Sequence, residues 1–184
     1  RRISDAGDVE SRCLDLVARA RSPRTLARTL EGLYQVSYLV RDRLSHEAWQ
    51  TLSRFRPGDP WMRALSAAGP GALLDLLDEG LAALSSFNGL THENMTRNYG
   101  WSFLDMGRRL ERAYNLSEAI RTLFIPPPDP EEETSSLLLL LELADSFITY
   151  RSRYRLDPML ALVLDLLLLD EANPRALAYQ LAAI

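Results

Sequence analysis

The sequence predicts an all-α fold, a bundle or array of about six to eight helices, with one long central helix near 98–124. Three observations predict it. Apolar residues recur in alternating steps of three and four, which keeps them on one side of a helix. Proline, glycine and capping residues punctuate these runs at intervals that suit helices. No stretch alternates apolar and polar residues as a half-buried strand would.

Residues 1–21 read as a mixed-charge amphipathic segment, with Val9, Cys13, Leu16, Val17 and Ala20 on its apolar face. Ser22 and Pro23 are a cap and a first helical position. The helix they open runs to about Leu44, with Leu26, Leu30, Leu33, Val36, Val40 and Leu44 as its stripe. Ser45, Glu47 and Ala48 restart or continue a helix through Trp49, Leu52 and Phe55. The run Arg-Pro-Gly-Asp-Pro at 56–60 is a turn. A short helix over 61–67 is broken by Gly69-Pro70-Gly71. The next helix, 73–92, turns Leu73, Leu76, Leu77, Leu81, Leu84 and Phe87 inward. No clear signal separates it from the long helix, so a single bent helix is the alternative. Residues 125–134 form a Pro/Glu-rich linker, held extended by its prolines and solvated by its acids. Helices come next over 135–153, from Asp157-Pro158 to about 169, and from Asn173-Pro174 onward. The whole of 1–184 is expected to pack as a single domain.

In the long helix, Phe103, Met106, Leu110, Ala113, Ser117, Ile120 and Phe124 share the face expected to enter a core. Trp101, Asp105, Arg108, Arg112 and Asn115 keep the same rhythm on another face. Asp105 and Arg109 are four apart and opposite in charge, and Glu111 lies among the arginines. Two readings stand. One is a solvated face whose ion pairs contribute ~0–1 kcal/mol each. The other is an inward Glu–Arg network that locks helix register, where loss of one partner costs ~3–5 kcal/mol. Gly107 favours the second, since glycine costs ~1 kcal/mol in an exposed helix unless another helix comes close.

Composition narrows the chemistry. Net charge is −4, which gives no general nucleic-acid footprint. All 21 cationic residues are arginine. Without lysine, a Walker-type phosphate loop and Schiff-base or pyridoxal catalysis are nearly excluded. The arginine bias itself reads as a GC-rich, bacterial-type genome. Cys13 has no partner for an internal disulfide; it reads as a small buried hydrophobe in a reducing, cytoplasmic setting. The leucine runs at 137–141 and 159–164 end at Glu142 and Asp165, short of the ~20 apolar residues of a membrane span. Neither nucleic acid nor membrane is an expected partner.

His46 and His92 are the only histidines, and neither stands in a Glu-x-x-His pair, so no metal site or cofactor is expected. No Gly-x-Ser-x-Gly elbow is present. Candidate carboxylates are Glu142 and Asp145 on one helix face, then Asp165, Asp170 and Glu171. Buried, they could serve acid–base work or bind a cation through oxygen. Otherwise they pair with arginines such as Arg108, Arg112, Arg151 or Arg153.

Three blocks carry a family resemblance. The first is Glu93-Asn94-Met95-Thr96-Arg97, Gly100-Trp101, Phe103-Leu104 and Gly107-Arg108-Arg109-Leu110-Glu111-Arg112-Ala113. The second is Ile148-Thr149-Tyr150-Arg151 with Arg153-Tyr154. The third runs from Val163-Leu164-Asp165 through Asp170-Glu171 to Asn173-Pro174-Arg175. Val40-Arg41-Asp42-Arg43-Leu44-Ser45 and Trp49 agree upstream. Together they resemble the Alpha-E family, helical domains named for a Glu-Arg motif, here lacking the family's earlier Glu-Arg segment and its C-terminal end. Whatever those segments would bury is then exposed or covered by a second copy in a homo-oligomer. The resemblance implies a context: circularly permuted ATP-grasp ligases and transglutaminase-like proteins, hence peptide-like bonds.

Two functions are expected on this basis. In one, the chain is a non-catalytic accessory or scaffold domain that docks the ATP-grasp ligase. Asn94, Arg97, Arg108, Arg109, Glu111, Arg112, Glu142, Asp145, Arg151, Asp165, Asp170 and Arg175 then form its motif and ion-pair network. In the other, it is an enzyme acting on a peptide-like product, with Glu142, Asp145, Asp165 and Asp170 working beside arginines that grip a carboxylate.

Overall fold

The computed structural model describes residues 6–17, 25–182 and 184. Ten α-helices and no strand occur among these residues. They are α1 (Ala6–Val17), α2 (Leu26–Leu39), α3 (His46–Ser53), α4 (Pro60–Ala67), α5 (Pro70–Asn94), α6 (Tyr99–Phe124), α7 (Pro130–Leu143), α8 (Phe147–Tyr154), α9 (Leu160–Leu164) and α10 (Leu177–Ala182). A 3-10 turn at Arg41–Arg43 comes after α2, and a π-helical turn at Asp165–Leu169 extends α9. The chain divides into two units, Arg1–Thr96 and Arg97–Ile184, each with its own core.

In the first unit, local chemistry sets the helix starts. Thr25 Oγ1 accepts from the Arg28 N–H, Ser45 Oγ from Ala48, and Asp59 Oδ1 from Trp61. Pro60 and Pro70 open α4 and α5, where a missing N–H costs nothing. Leu30, Leu52, Phe55, Met62, Leu65 and Leu73 meet in the core. Gly80 is where α5 admits the Trp61 ring: a Cβ there would stand 3.1 Å from Trp61 Cζ2.

Several expected faces differ in the structure. Val17 packs on the core as expected, joined by Leu14, while Val9, Cys13 and Leu16 of the expected α1 face are exposed. Ala20, Ser22 and Pro23 lie outside the described residues. In α2 the buried line is Ala27, Leu30 and Ser37, and Val36 and Val40 are exposed. Tyr34, Tyr38 and Trp49 instead cluster beside that line, with ring centroids 5.6–6.3 Å apart. In α5, Leu81 is exposed, and Gly80 and Ala83 take the inward positions.

In the second unit, Asn98 starts α6 by accepting from the Gly100 and Trp101 N–H groups. The interruption at 95–98 therefore makes α5 and α6 separate helices. Residues 130–134, expected in the linker, are the first turn of α7. Pro130 occupies its first position, and Glu131, Glu132 and Glu133 suit the positive end of the helix dipole. The expected helix 135–153 is two helices, because the chain turns at 144–146. The core gathers Leu116, Leu137, Leu140, Leu141, Tyr150, Val163, Leu166 and Leu167.

The inward line of α6 differs from an all-apolar stripe. Phe103 and Leu110 are 66% and 50% exposed, and Ser117 also faces out. The covered line is Asp105, Arg109, Ala113, Leu116, Ile120 and Leu123. A polar pair thus occupies its first half, where α10 packs against α6. No atom comes within 4 Å of a Cβ built on Gly107, so the expected close helix is absent among the described residues.

Candidate functional site

The polar side chains that could carry chemistry lie in the second unit, along two layers. The first is built by the end of α7. Ala144 caps that helix, Asp145 adopts φ 48°, and the Asp145 and Ser146 N–H groups donate back to the Glu142 and Leu141 carbonyls at 2.9 Å. This is the crossed pair of bonds that ends helices on a left-handed residue. Aspartate tolerates that conformation better than most residues. The turn aims Asp145 at Arg175, whose Nη2 stands 2.6 Å from Oδ2. Beneath it, buried Ser146 and Asn173 meet: Asn173 Nδ2 donates to Ser146 Oγ at 3.4 Å and to the Leu166 carbonyl at 3.1 Å. Asn173 Oδ1 accepts from the Arg175 N–H. The buried Gln180 side chain donates to the Pro174 carbonyl.

The second layer joins α8 to the 157–172 segment. Tyr150 is fully buried, yet its hydroxyl donates to the Asp157 carbonyl and accepts from the Met159 N–H, both at 3.1 Å. Tyr154, whose ring lies 4.9 Å from that of Tyr150, donates to Asp165 Oδ2 at 3.0 Å. Arg153 Nη1 stands 2.6 Å from Asp170 Oδ2, an ion pair made off the hydrogen-bonding direction. The Ala172 N–H, then the Arg153 guanidinium, hold the Asp170 carboxyl below its ordinary range. Burial pushes the Tyr154 phenol up. Asp165 opens the π-helical turn, which lets the adjacent Leu166 and Leu167 both point into the core.

On α6, Arg109 Nε donates to Asp105 Oδ2 at 2.7 Å, both side chains are less than a quarter exposed, and the guanidinium lies 5.6 Å from the Tyr179 ring. The Asp105 bond raises the Arg109 pKa, whereas burial lowers that of Arg108, with Arg112 adding to the fall. Glu111 and Arg112 are exposed, and Glu111 accepts from Asn115 one turn along at 3.4 Å. The Glu-Arg pair of the motif is therefore on the surface of α6, and its inward pair is Asp105–Arg109.

Of the residues nominated from sequence, Asp145 meets Arg175, while Asp165 and Asp170 meet Tyr154 and Arg153. Arg97 stacks 4.2 Å over Trp101, and Arg151 lies 5.8 Å from the Phe147 ring. Glu142 and Asn94 are exposed. Glu142 and Asp145 do not converge, because the left-handed turn separates them. The sequence reading paired Asp105 with Arg109, as the structure does, but missed Tyr154, Ser146 and Asn173 as members of these networks. A second tyrosine four residues after the first, in the second block, was the available signal.

A cleft of about 300 Å³ opens beside the first layer. Arg112, Asn115 and Arg175 supply its polar lining, and Leu116, Ala119, Leu140, Leu143 and Ala144 its apolar lining. A second hollow, about 540 Å³, lies between Thr134, Leu138, Phe147, Arg151, Arg155 and Asp157. No group of three or more His, Cys, Asp or Glu residues is placed to hold a metal ion among the described residues. No helix of the described residues is long and apolar enough to cross a membrane.

Known proteins resemble the chain over nearly its whole length. The Alpha-E family model, "a predicted alpha-helical domain with a conserved ER motif", matches residues 2–184. The uncharacterized protein Rv2567 of Mycobacterium tuberculosis is 30% identical over 164 residues, which cover 86% of this chain. The uncharacterized protein Mb2597 of Mycobacterium bovis is similar to the same extent. The chain spans 18% of the length of these relatives. No solved structure matches it.

Proposed function

The chain belongs to the Alpha-E family, and from that premise we propose that it is a non-catalytic helical scaffold for amide-bond formation. It works beside a circularly permuted ATP-grasp ligase and transglutaminase-like proteins. ATP-grasp enzymes commonly join a carboxylate to an amine through an acyl phosphate. The scaffold docks the ligase in the cytoplasm, where ATP is supplied, and holds the acceptor.

One observation carries this reading. Asp145, Asp165 and Asp170, which acid–base chemistry would need free, are each tied to a named partner that joins two chain segments. A carboxylate poised as a base has a raised pKa; that of Asp170 is lowered. The surface position of Glu111 and Arg112 supports docking more than internal locking.

The test is co-purification of this chain with the ATP-grasp protein encoded nearest to it. A stable complex at micromolar concentration, disrupted by charge reversal at Glu111 and Arg112, is the expected result. Failure to associate at that concentration refutes the scaffold role.

A further inference from the structure

From the cleft between α6, α7 and Arg175, we infer a binding site for the free carboxylate end of a peptide-like chain whose last residue is aliphatic. Arg112 and Arg175 bring two guanidiniums to the rim, and Asn115 adds an amide. Guanidinium groups pair with carboxylates through two parallel bonds, a geometry that lysine cannot supply. Arg112 makes no ion pair among the described residues. Arg175, which lines the cleft, is held by Asp145 through Nη2. Arg108, one turn back on α6, lies near both Asp105 and Arg112 and does not line the cleft. Asp145 sits on Arg175, Glu111 on Asn115 and Asp105 on Arg109, and none of these three carboxylates lines the cleft.

The apolar lining selects the kind of anion. Leu116, Ala119, Leu140 and Leu143 give an aliphatic wall next to the cationic rim. A phosphate would meet the rim and leave the wall in water. A carboxylate with an aliphatic neighbour meets both. The volume, about 300 Å³, lies at the small end of ligand sites, which limits the bound part to one residue or two.

The inference deepens the scaffold reading and rests on it only for where the ligand comes from. Binding is read on the 184-residue chain alone, so it succeeds or fails independently of association with the ligase. The experiment titrates the chain with N-acetyl-alanyl-leucine, with its C-terminal amide and with inorganic phosphate. Methyl resonances of Leu116, Leu140 and Leu143 are monitored. The free acid is expected to bind saturably and shift those methyls, and the amide to bind about tenfold more weakly or worse, since a charge-assisted contact is lost. Arg112→Gln is expected to weaken the acid about tenfold and leave the melting temperature unchanged. Arg175→Gln weakens it too but also releases Asp145, so Arg112→Gln decides. Equal binding of acid and amide, equal competition by phosphate, or wild-type affinity in Arg112→Gln each overturns the inference.

Discussion

Replacing Tyr150 by phenylalanine removes one oxygen and leaves the ring in place. That oxygen joins the Asp157 carbonyl and the Met159 N–H at 3.1 Å, and it is the polar link between α8 and the segment that leads into α9. Each net hydrogen bond contributes ~0.5–1.5 kcal/mol. Asp157 and Met159 are exposed, so water partly replaces the lost partner. The expected loss is therefore ~1–3 kcal/mol in total. At ~2–4 °C per kcal/mol for a chain of this size, a loss of about 2 kcal/mol lowers the melting temperature by about 4–8 °C. The chain has two units, and the contact lies in the second. The more direct assay is residue-resolved amide exchange. The Met159 amide is expected to lose protection, and amides of the first unit to keep theirs. The ring contact with Tyr154 survives, so lost packing does not supply an alternative cause. Unchanged Met159 exchange with an unchanged melt would refute the claim that the hydroxyl ties the two segments.

Further outcomes rest on particular contacts or on their absence. Asp105→Asn, which breaks a pair less than a quarter exposed, is expected to cost about 1–3 kcal/mol in urea unfolding, between surface and buried pairs. Glu111→Gln, on the surface beside Asn115, is expected to stay within about 0.5 kcal/mol in the same assay. Gly80→Ala forces the Trp61 ring to give way and should destabilise, whereas Gly107→Ala meets open space and should stabilise by up to ~1 kcal/mol; differential scanning calorimetry reads both signs. Asp170 has a folded pKa below its unfolded value, so its contribution is complete above about 3.9 and is lost as pH falls through the lower folded value. Asp170→Asn should accordingly make stability less sensitive to pH below about 4, as measured by unfolding midpoints across that range.

How much was legible depends on what each signal encodes. Apolar spacing placed the long helix near 98–124, against Tyr99–Phe124 in the structure, because periodicity is local; the Asn98 cap that separates it from α5 was not read from the sequence. The inward line of α6 was not legible in its first half. A stripe drawn through apolar residues alone passes over Asp105 and Arg109, which α10 covers. The break after α7 was hidden for a related reason. Ala144-Asp145-Ser146 carries no glycine or proline, yet Asp145 takes the left-handed turn and is held there by Arg175. Residues 130–134 were read as linker from composition, although Asp-Pro and then three glutamates also begin a helix well. The residues of the candidate site were present in the family blocks. Their pairing depends on segments up to thirty positions apart, and spacing along the chain does not report that.

The most direct test of the scaffold role measures amide formation, as ADP release by the ATP-grasp protein, with this chain carrying Asp165→Asn or Asp170→Asn. Both aspartates serve as ties, to Tyr154 and Arg153 respectively. Each variant is therefore expected to lose activity only in proportion to its loss of folded protein, so rates measured below the melting transition match wild type. Abolished ADP release in a variant that melts like wild type would contradict the scaffold role and place these carboxylates in the reaction.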